Sequence, residues 1–297
     1  MRILLTGKTG QVGYELERSL HGLGEIIAVD RSQMDLSDLD QVRDIVRTVK
    51  PDLIINPAAY TAVDKAESEP ELAMRINGEA PGVMAEEAKK IGAAMIHYST
   101  DYVFDGSKDT PYVETDPTCP INVYGNTKLA GEQAIQAAGI PHLILRTSWV
   151  YGMRGKNFLL TMLRLAQERD ELRIVADQHG SPTWCGTIAD STAAIVAKSI
   201  SAPDRYEWMR EHSGIYHLTC QGQTTWYGFT KAILDATMSD KKPALVPIST
   251  QDYPLPARRP AYSVMSGQKF IRDFLDLPSW ENALASCLQK KTSSDNL

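Results

Sequence analysis

The sequence predicts an α/β fold, a doubly wound parallel sheet with a smaller C-terminal lobe. Three observations carry that expectation. Short apolar runs alternate with amphipathic helices over roughly the first 150 residues, the rhythm of parallel strands joined by crossover helices. Glycines at 7, 10 and 13 fill the turn between the first such run and the first helix. Polar clusters recur just past the apolar runs, at the carboxyl ends of the strands, where sheets of this kind hold ligands.

Taken in order, Arg2–Thr6 reads as a buried strand, and an amphipathic helix follows the glycine turn to about Leu23. Gly7, Gly10 and Gly13 form a G-x-x-G-x-x-G variant of the dinucleotide fingerprint. Such a turn brings the backbone close to a diphosphate and sets the anion at a helix N-terminus. Glu25–Val29 is the second strand and ends at Asp30, placed to grip a ribose 2′-hydroxyl, while the adjacent Arg31 suits a 2′-phosphate. The choice between NADH and NADPH stays open. Asp35 and Leu36 lie where they reach the adenine edge, and Ser37 caps a helix over Asp38–Val49.

Pro51 punctuates before the third strand, Leu53–Ile55, which runs into Asn56-Pro57-Ala58-Ala59-Tyr60-Thr61. Small residues there suit close passage of a cofactor. One helix is then expected up to about Ile91. The fourth strand, Ala93–Tyr98, delivers Ser99-Thr100-Asp101, and the fifth, Leu143–Arg146, delivers Thr147-Ser148-Trp149. Between them Tyr124 and Lys128 stand four apart, which on a helix stacks them on one face. A phenol is a poor acid or base at neutral pH, and an ammonium one turn away favours the phenolate. Such a pair can exchange a proton with an oxygen held in front of it, and the lysine can also hold a ribose.

A hydrophobic content of 43% with 23% charged residues describes a globular chain, and the net charge of −6 disfavours nucleic acid or an acidic membrane as partner. Cys119, Cys185, Cys220 and Cys287 are far apart, so neither a zinc site nor a disulfide framework is expected, and a cytoplasmic location fits. The N-terminal apolar run is too short for a secretory signal, no run reaches the length of a membrane span, and the polar tail Thr292–Leu297 is expected to fray.

Together, the glycine triplet, Asn56-Pro57-Ala58-Ala59, Ser99-Thr100-Asp101 and Tyr124-x-x-x-Lys128 resemble the extended short-chain dehydrogenase/reductases, which have Rossmann-like folds. Ala62-Val63-Asp64-Lys65-Ala66-Glu67, Ser99–Phe104, Asn122–Gly125, Arg146–Tyr151 and Asp177–Thr183 are similar to the dTDP-4-dehydrorhamnose reductases within that superfamily. The resemblance implies NADPH or NADH as cofactor and a dTDP-linked 4-keto-6-deoxyhexose as substrate, with the 4-keto group reduced. It implies that Gly10, Gln11 and Val12 line the diphosphate, that Asp30, Asp35 and Leu36 hold the adenosine end, and that Ala59, Tyr60 and Thr61 meet the nicotinamide half. Tyr124 is then the proton donor, Lys128 lowers its pKa and binds ribose, and Thr100 hydrogen-bonds the substrate carbonyl. Asp101 and Trp149 match sugar-contacting positions.

The match has departures. Pro57 replaces a small residue, and Arg258-Arg259-Pro260-Ala261-Tyr262-Ser263 keeps only part of an R-P-x-N-S pattern. Some relatives dimerise through a metal bridged by glutamates. Here Trp184-Cys185-Gly186 replaces the acidic stretch, so no metal is expected and a homodimer is left open.

Beyond residue 150 the regular rhythm ends, as expected of a substrate lobe over 151–297 interleaved with a dinucleotide-binding domain over 1–150. Helices are expected over Asn157–Glu168, Thr187–Ile200, Trp226–Ala236 and Trp280–Lys290, and short strands over Leu172–Val175 and Gly214–Leu218. Asn157 serves as a helix cap or as a contact to the sugar or diphosphate. Arg258 and Arg259 are solvated loop residues or a diphosphate clamp. Trp149 is core or a sugar platform. His97, inside a strand, reads as a packed histidine, and His179 as a loop residue without a catalytic part. The rival functions are an epimerase or dehydratase of the same superfamily and a regulatory subunit resembling the methionine adenosyltransferase β subunit. Asp101-Tyr102 after Thr100, in place of an Asp-Glu pair, argues against a dehydratase.

Overall fold

The computed structural model describes residues 1–238 and 242–294. Its centre is one six-stranded sheet. The strands are β1 (Arg2–Leu5), β2 (Glu25–Ala28), β3 (Leu53–Asn56), β4 (Ala94–Thr100), β5 (His142–Thr147) and β6 (Gly214–His217). They lie in the order β6-β5-β4-β3-β1-β2, and every neighbouring pair is parallel. From β1 the chain winds to β2 in one direction and from β3 through β5 in the other. The connections therefore diverge beside β1 and β3 and leave a crevice at their carboxyl ends.

Alternation of side chains along the strands builds two cores. On one face Ile3, Leu5, Ile55 and Ile96 pack with α1 (Gln11–Ser19) and with the helix Cys185–Ser201. On the other, Leu4, Ile54, Met95 and Ile144 pack with α2 (Leu39–Val49), α3 (Ala80–Ile91) and α4 (Val123–Ala138). A third core, around Tyr151, Leu159, Phe229 and Trp280, belongs to the second half of the chain. β6 and the helix Cys185–Ser201 come from that half yet complete the main sheet and its cover.

The structure corrects several boundaries. The first helix stops at Ser19, short of Leu23. The cap of α2 is Asp38, whose carboxylate accepts from the N–H groups of Asp40 and Gln41, while Ser37 bonds to Asp35 instead. The single helix expected before Ile91 is broken into Val63–Ala66, Pro70–Met74 and a π-helical turn, Arg75–Glu79, leading into α3. β4 runs two residues past Tyr98, carrying Thr100 to the crevice. The closing helix, Trp280–Ser294, continues through the start of the segment expected to fray, and residues 295–297 lie outside the described residues. Among the described residues no helix is long and apolar enough to cross a membrane.

Candidate active site

The glycine turn has the geometry its sequence suggests. Gly7 has φ +62°, a left-handed conformation that side chains disfavour. The Gly10 N–H closes back on the Gly7 carbonyl at 2.9 Å. A Cβ on Gly13 would sit 2.1 Å from that same carbonyl oxygen, so α1 can approach the strand only without one. No side chain caps α1, whose first N–H groups face the crevice, an open anion seat. Above the turn lies a cleft of about 820 Å³. Gly13→Ala is expected to weaken cofactor binding by roughly a hundredfold, about 2.7 kcal/mol, in a protein whose circular dichroism stays native. Unchanged affinity in a nucleotide fluorescence titration would show that the diphosphate lies elsewhere.

At the end of the cleft past β2, Asp30, Arg31, Asp35 and Leu36 all line it. The Asp30 carboxylate accepts from the N–H and hydroxyl of Ser32, which hold its pKa below the usual value, and it lies 3.7 Å from Lys8 Nζ. Arg31 is exposed and paired with Asp35 at 3.1 Å. Next along, Ala58, Ala59, Tyr60 and Thr61 form the wall after β3. This wall is clamped from behind by a residue the sequence reading missed. Asn77, in the π turn, accepts from the Tyr60 N–H at 2.8 Å and donates to the Tyr60 carbonyl and to Thr127. A π turn is commonly found where a side chain must be offered at a functional wall.

The candidate catalytic residues meet on the opposite wall. Asn122 caps α4 by accepting from the Gly125 N–H at 2.7 Å, which starts the helix one residue before Tyr124. Tyr124, Lys128, Thr100 and Asp101 all line the cleft. The Thr100 hydroxyl donates to the Asp101 carboxylate at 3.0 Å, Ser148 donates to the same carboxylate at 3.0 Å, and the Tyr124 phenol lies beside Thr100. Burial carries the Asp101 carboxyl up to about 6.

The expected tuning of Tyr124 by Lys128 is not what this arrangement produces. Burial and the neighbouring Asp101 push the phenol up to about 12, with only the Thr100 hydroxyl acting in the other direction. Lys128 is turned away, donating to the Tyr98 carbonyl at 2.6 Å and lying 3.2 Å from His97 Nε2, and burial brings its amine down to about 8. The spacing on the helix put the two residues on one face. It did not decide which neighbour the lysine would choose.

Just past β5, Trp149 lines the cleft with φ +46°, an uncommon conformation for a bulky residue and one associated with functional strain. Its ring seats on Gly180, where any Cβ would clash at 2.3 Å, and stacks on Trp226 with centroids 3.5 Å apart and planes 5° from parallel. Trp226 is a second wall residue the sequence reading missed. Asn157 proves to be both cap and cleft residue, accepting from Leu160 N and donating to Gln11 at 2.8 Å, so it ties the start of the helix Phe158–Glu168 to the glycine turn.

Arg259 does not join the site. The Asp64 carboxylate accepts from its Nη1 and Nη2 at 2.9 and 2.7 Å, Nη1 also donates to the Ala257 carbonyl, and the arginine holds that carboxyl below its usual range. The reading of Arg259 as a diphosphate clamp is therefore corrected to an ion pair that fastens the 257–259 loop to the Val63–Ala66 turn. Arg258 is exposed.

The chain is similar to known proteins along nearly its whole length. It is 49% identical over 302 aligned residues to a dTDP-4-dehydrorhamnose reductase of Burkholderia thailandensis, covering 97% of this chain and 98% of that protein. A dTDP-4-dehydrorhamnose reductase of Escherichia coli K12 is 48% identical, with 95% of each covered. Among solved structures, a dTDP-4-dehydrorhamnose reductase of Bacillus anthracis in complex with NADP superposes with a TM-score of 0.89 at 35% identity, covering 97% of this chain and 99% of that one. The family model described as the RmlD substrate binding domain matches residues 1–293. With curated relatives this similar along nearly their whole length, the chain belongs to that family, the dTDP-4-dehydrorhamnose reductases.

Proposed function

We infer that this chain reduces the 4-keto group of dTDP-4-dehydro-L-rhamnose to give dTDP-L-rhamnose, using NADPH or NADH. The observation that carries the reading is the convergence of Tyr124, Thr100 and Lys128 on one wall of the cleft that the glycine turn floors. The turn fits a dinucleotide because Gly13 leaves no room for a side chain and the first N–H groups of α1 are uncapped. When bound, the nicotinamide supplies the hydride. The protein aligns the sugar and delivers the proton.

Tyr124 gives its proton to the oxygen at C4, and a phenol near 12 holds that proton across the neutral range. Thr100 donates to the same oxygen once its hydroxyl leaves Asp101. Lys128, carrying its proton at neutral pH with an amine near 8, holds a ribose hydroxyl. Trp149 presents a face to the sugar, Asp101 a hydrogen-bond partner, and Asn157 keeps the two lobes in register at Gln11. Gly7, Gly10, Gln11 and Val12 cradle the diphosphate, and Asp30 with Arg31 meets the adenosine ribose. Residues 1–150 are read as the dinucleotide domain and 151–297 as the substrate lobe, with β6 lent back to the sheet. None of the four cysteines is in a disulfide among the described residues, which supports a cytoplasmic setting.

The test supplies dTDP-4-dehydro-L-rhamnose with reduced cofactor and follows the loss of its absorbance. One mole of cofactor consumed per mole of dTDP-L-rhamnose is the expected result. An epimerase would return the hydride and consume none. A regulatory subunit would consume none and would copurify with a synthetase.

A further inference from the structure

Beneath the cleft wall runs a buried chain of hydrogen bonds that the mechanism above does not use. Thr6 follows β1, Asn56 ends the adjacent β3 and His97 lies midway along β4 beside it, and all three are at most 1% exposed. By strand alternation they face the same side as Leu4, Ile54 and Met95, toward α4. The Thr6 hydroxyl lies 2.6 Å from Asn56 Oδ1, Asn56 Nδ2 lies 3.1 Å from His97 Nδ1, and His97 Nε2 lies 3.2 Å from Lys128 Nζ. Thr6 also lines the cleft at the glycine turn. The chain therefore links the nucleotide turn to the lysine of the catalytic helix.

The donors and acceptors along it cannot be chosen independently. A neutral imidazole has one N–H and one bare nitrogen. While Thr6 donates to Asn56 Oδ1, the amide nitrogen must donate to His97 Nδ1. The ring then carries its proton on Nε2 and needs an amine lone pair on Lys128. An ammonium at Lys128 has no lone pair and donates to Nε2 instead. The ring proton then moves to Nδ1, and the Asn56 amide turns to accept it and to donate to Thr6. The two arrangements are fully bonded only in these combinations, and a half-matched buried chain is costly.

We propose that His97 is a positioning residue for this site: its ring holds the Lys128 amino group, and the chain it closes reverses direction when Lys128 gains or loses its proton, so the charge of that lysine is registered at Thr6 beside the nucleotide turn. The catalytic setting rests on the proposed function; the reversal does not. Burial holds the imidazole pKa well below its ordinary value, so the ring stays neutral in both arrangements. Burial also brings the lysine to about 8, opposed by Glu132.

Few other charges bear on Lys128. On its own helix are Tyr124 and Glu132, on β4 His97 and Tyr98, on β5 Arg146, which is paired with Glu132, and beyond Tyr124 the Asp101 carboxyl. In the segments packed on α4, Arg75 pairs with Glu79, Glu87 with Arg47 and Lys90, Lys65 with Glu69 and Asp64 with Arg259.

The test is a nitrogen NMR titration of histidine-labelled protein, without substrate, from about pH 6 to pH 10. Of the six histidines, the one lost in His97→Gln is expected to stay neutral throughout. Its proton is expected to move from Nδ1 to Nε2 with a midpoint near 8, the lysine's own ionisation. In Lys128→Met, which also identifies the ring should the Gln variant not fold, that exchange disappears. A proton fixed on one nitrogen, a ring that becomes imidazolium near its ordinary pKa, or an exchange that persists in Lys128→Met each overturns the proposal.

In kinetics, His97→Leu is expected to lower kcat roughly ten- to a hundredfold through misplacement of Lys128, with the KM for the sugar within about threefold. His97→Gln, whose amide can donate or accept, should recover most of the loss. Wild-type kcat in His97→Leu, or no recovery by a folded His97→Gln, removes the positioning role. Because the titration needs no turnover, absence of reductase activity and absence of the reversal are separate outcomes.

Discussion

Tyr124→Phe is expected to lower kcat by roughly 10²- to 10⁴-fold, the usual contribution of a positioned proton donor, while the cofactor dissociation constant stays within about twofold. The phenol and the Thr100 hydroxyl are neighbours at the cleft wall, and Thr100 gives its own proton to Asp101. Lys128 directs two of its three N–H groups to Tyr98 and His97, away from the reacting oxygen. Tyr124 is thus the group left to protonate an oxygen in the cleft. A phenylalanine ring keeps the edge-on contact with Tyr102, whose centroid lies 5.8 Å away, so the wall persists and the loss reads the proton alone. Steady-state kinetics with a parallel nucleotide titration decide it. Turnover within tenfold of wild type would hand the proton to another donor or to water.

The pH profile follows from the same environment. With the phenol near 12, loss of its proton does not limit kcat/KM in the neutral range. The ionisations that fall there are the Asp101 carboxyl, near 6, and the Lys128 amine, near 8. Below the first, a protonated Asp101 no longer draws the Thr100 hydroxyl. Above the second, Lys128 is neutral.

The parts of this site that depend on neighbours in the chain were legible before the fold was. A glycine turn and a pair four apart on a helix are written within a few residues, and Gly7, Tyr124 and Lys128 fall where local geometry places them. Strand ends were legible because the apolar runs stop there. What stayed hidden depends on partners far apart in the sequence. Nothing near Arg259 announces Asp64, 195 residues away, and a guanidinium takes the carboxylate that packing offers. Trp226 belongs to a helix whose apolar face reads as core, and only the turn at Trp149 brings its ring to the cleft. β6 was readable as a strand, but its place beside β5 is set by pairing across the sheet. The breaks before α3 do carry prolines, Pro70 opening the short helix Pro70–Met74 and Pro81 in the first turn of α3, each without an N–H for the preceding turn. What stayed hidden is that the π turn between them sets Asn77 behind Tyr60.

The largest stability effect is expected where the sheet meets the catalytic helix. Arg146 on β5 and Glu132 on α4 are 2% and 1% exposed and share two hydrogen bonds, at 3.0 and 2.7 Å. Removing one member of such a pair strands the other charge away from water, so Glu132→Ala should cost about 3–5 kcal/mol. The guanidinium has little other relief, since its Nη1 already lacks a partner and its remaining neighbour is the face of Phe104, 5.1 Å away. Replacing both residues, as in Glu132→Leu with Arg146→Met, removes both buried charges and should restore most of the stability. Denaturant unfolding of the three variants measures this. A single variant within about 1 kcal/mol of wild type would mean that water already reaches the guanidinium. The pair also serves the site. Glu132 raises the Lys128 pKa against the burial that lowers it. Without that carboxylate the amine loses its proton at lower pH, and activity should fall on the alkaline side even where the double variant is fully folded.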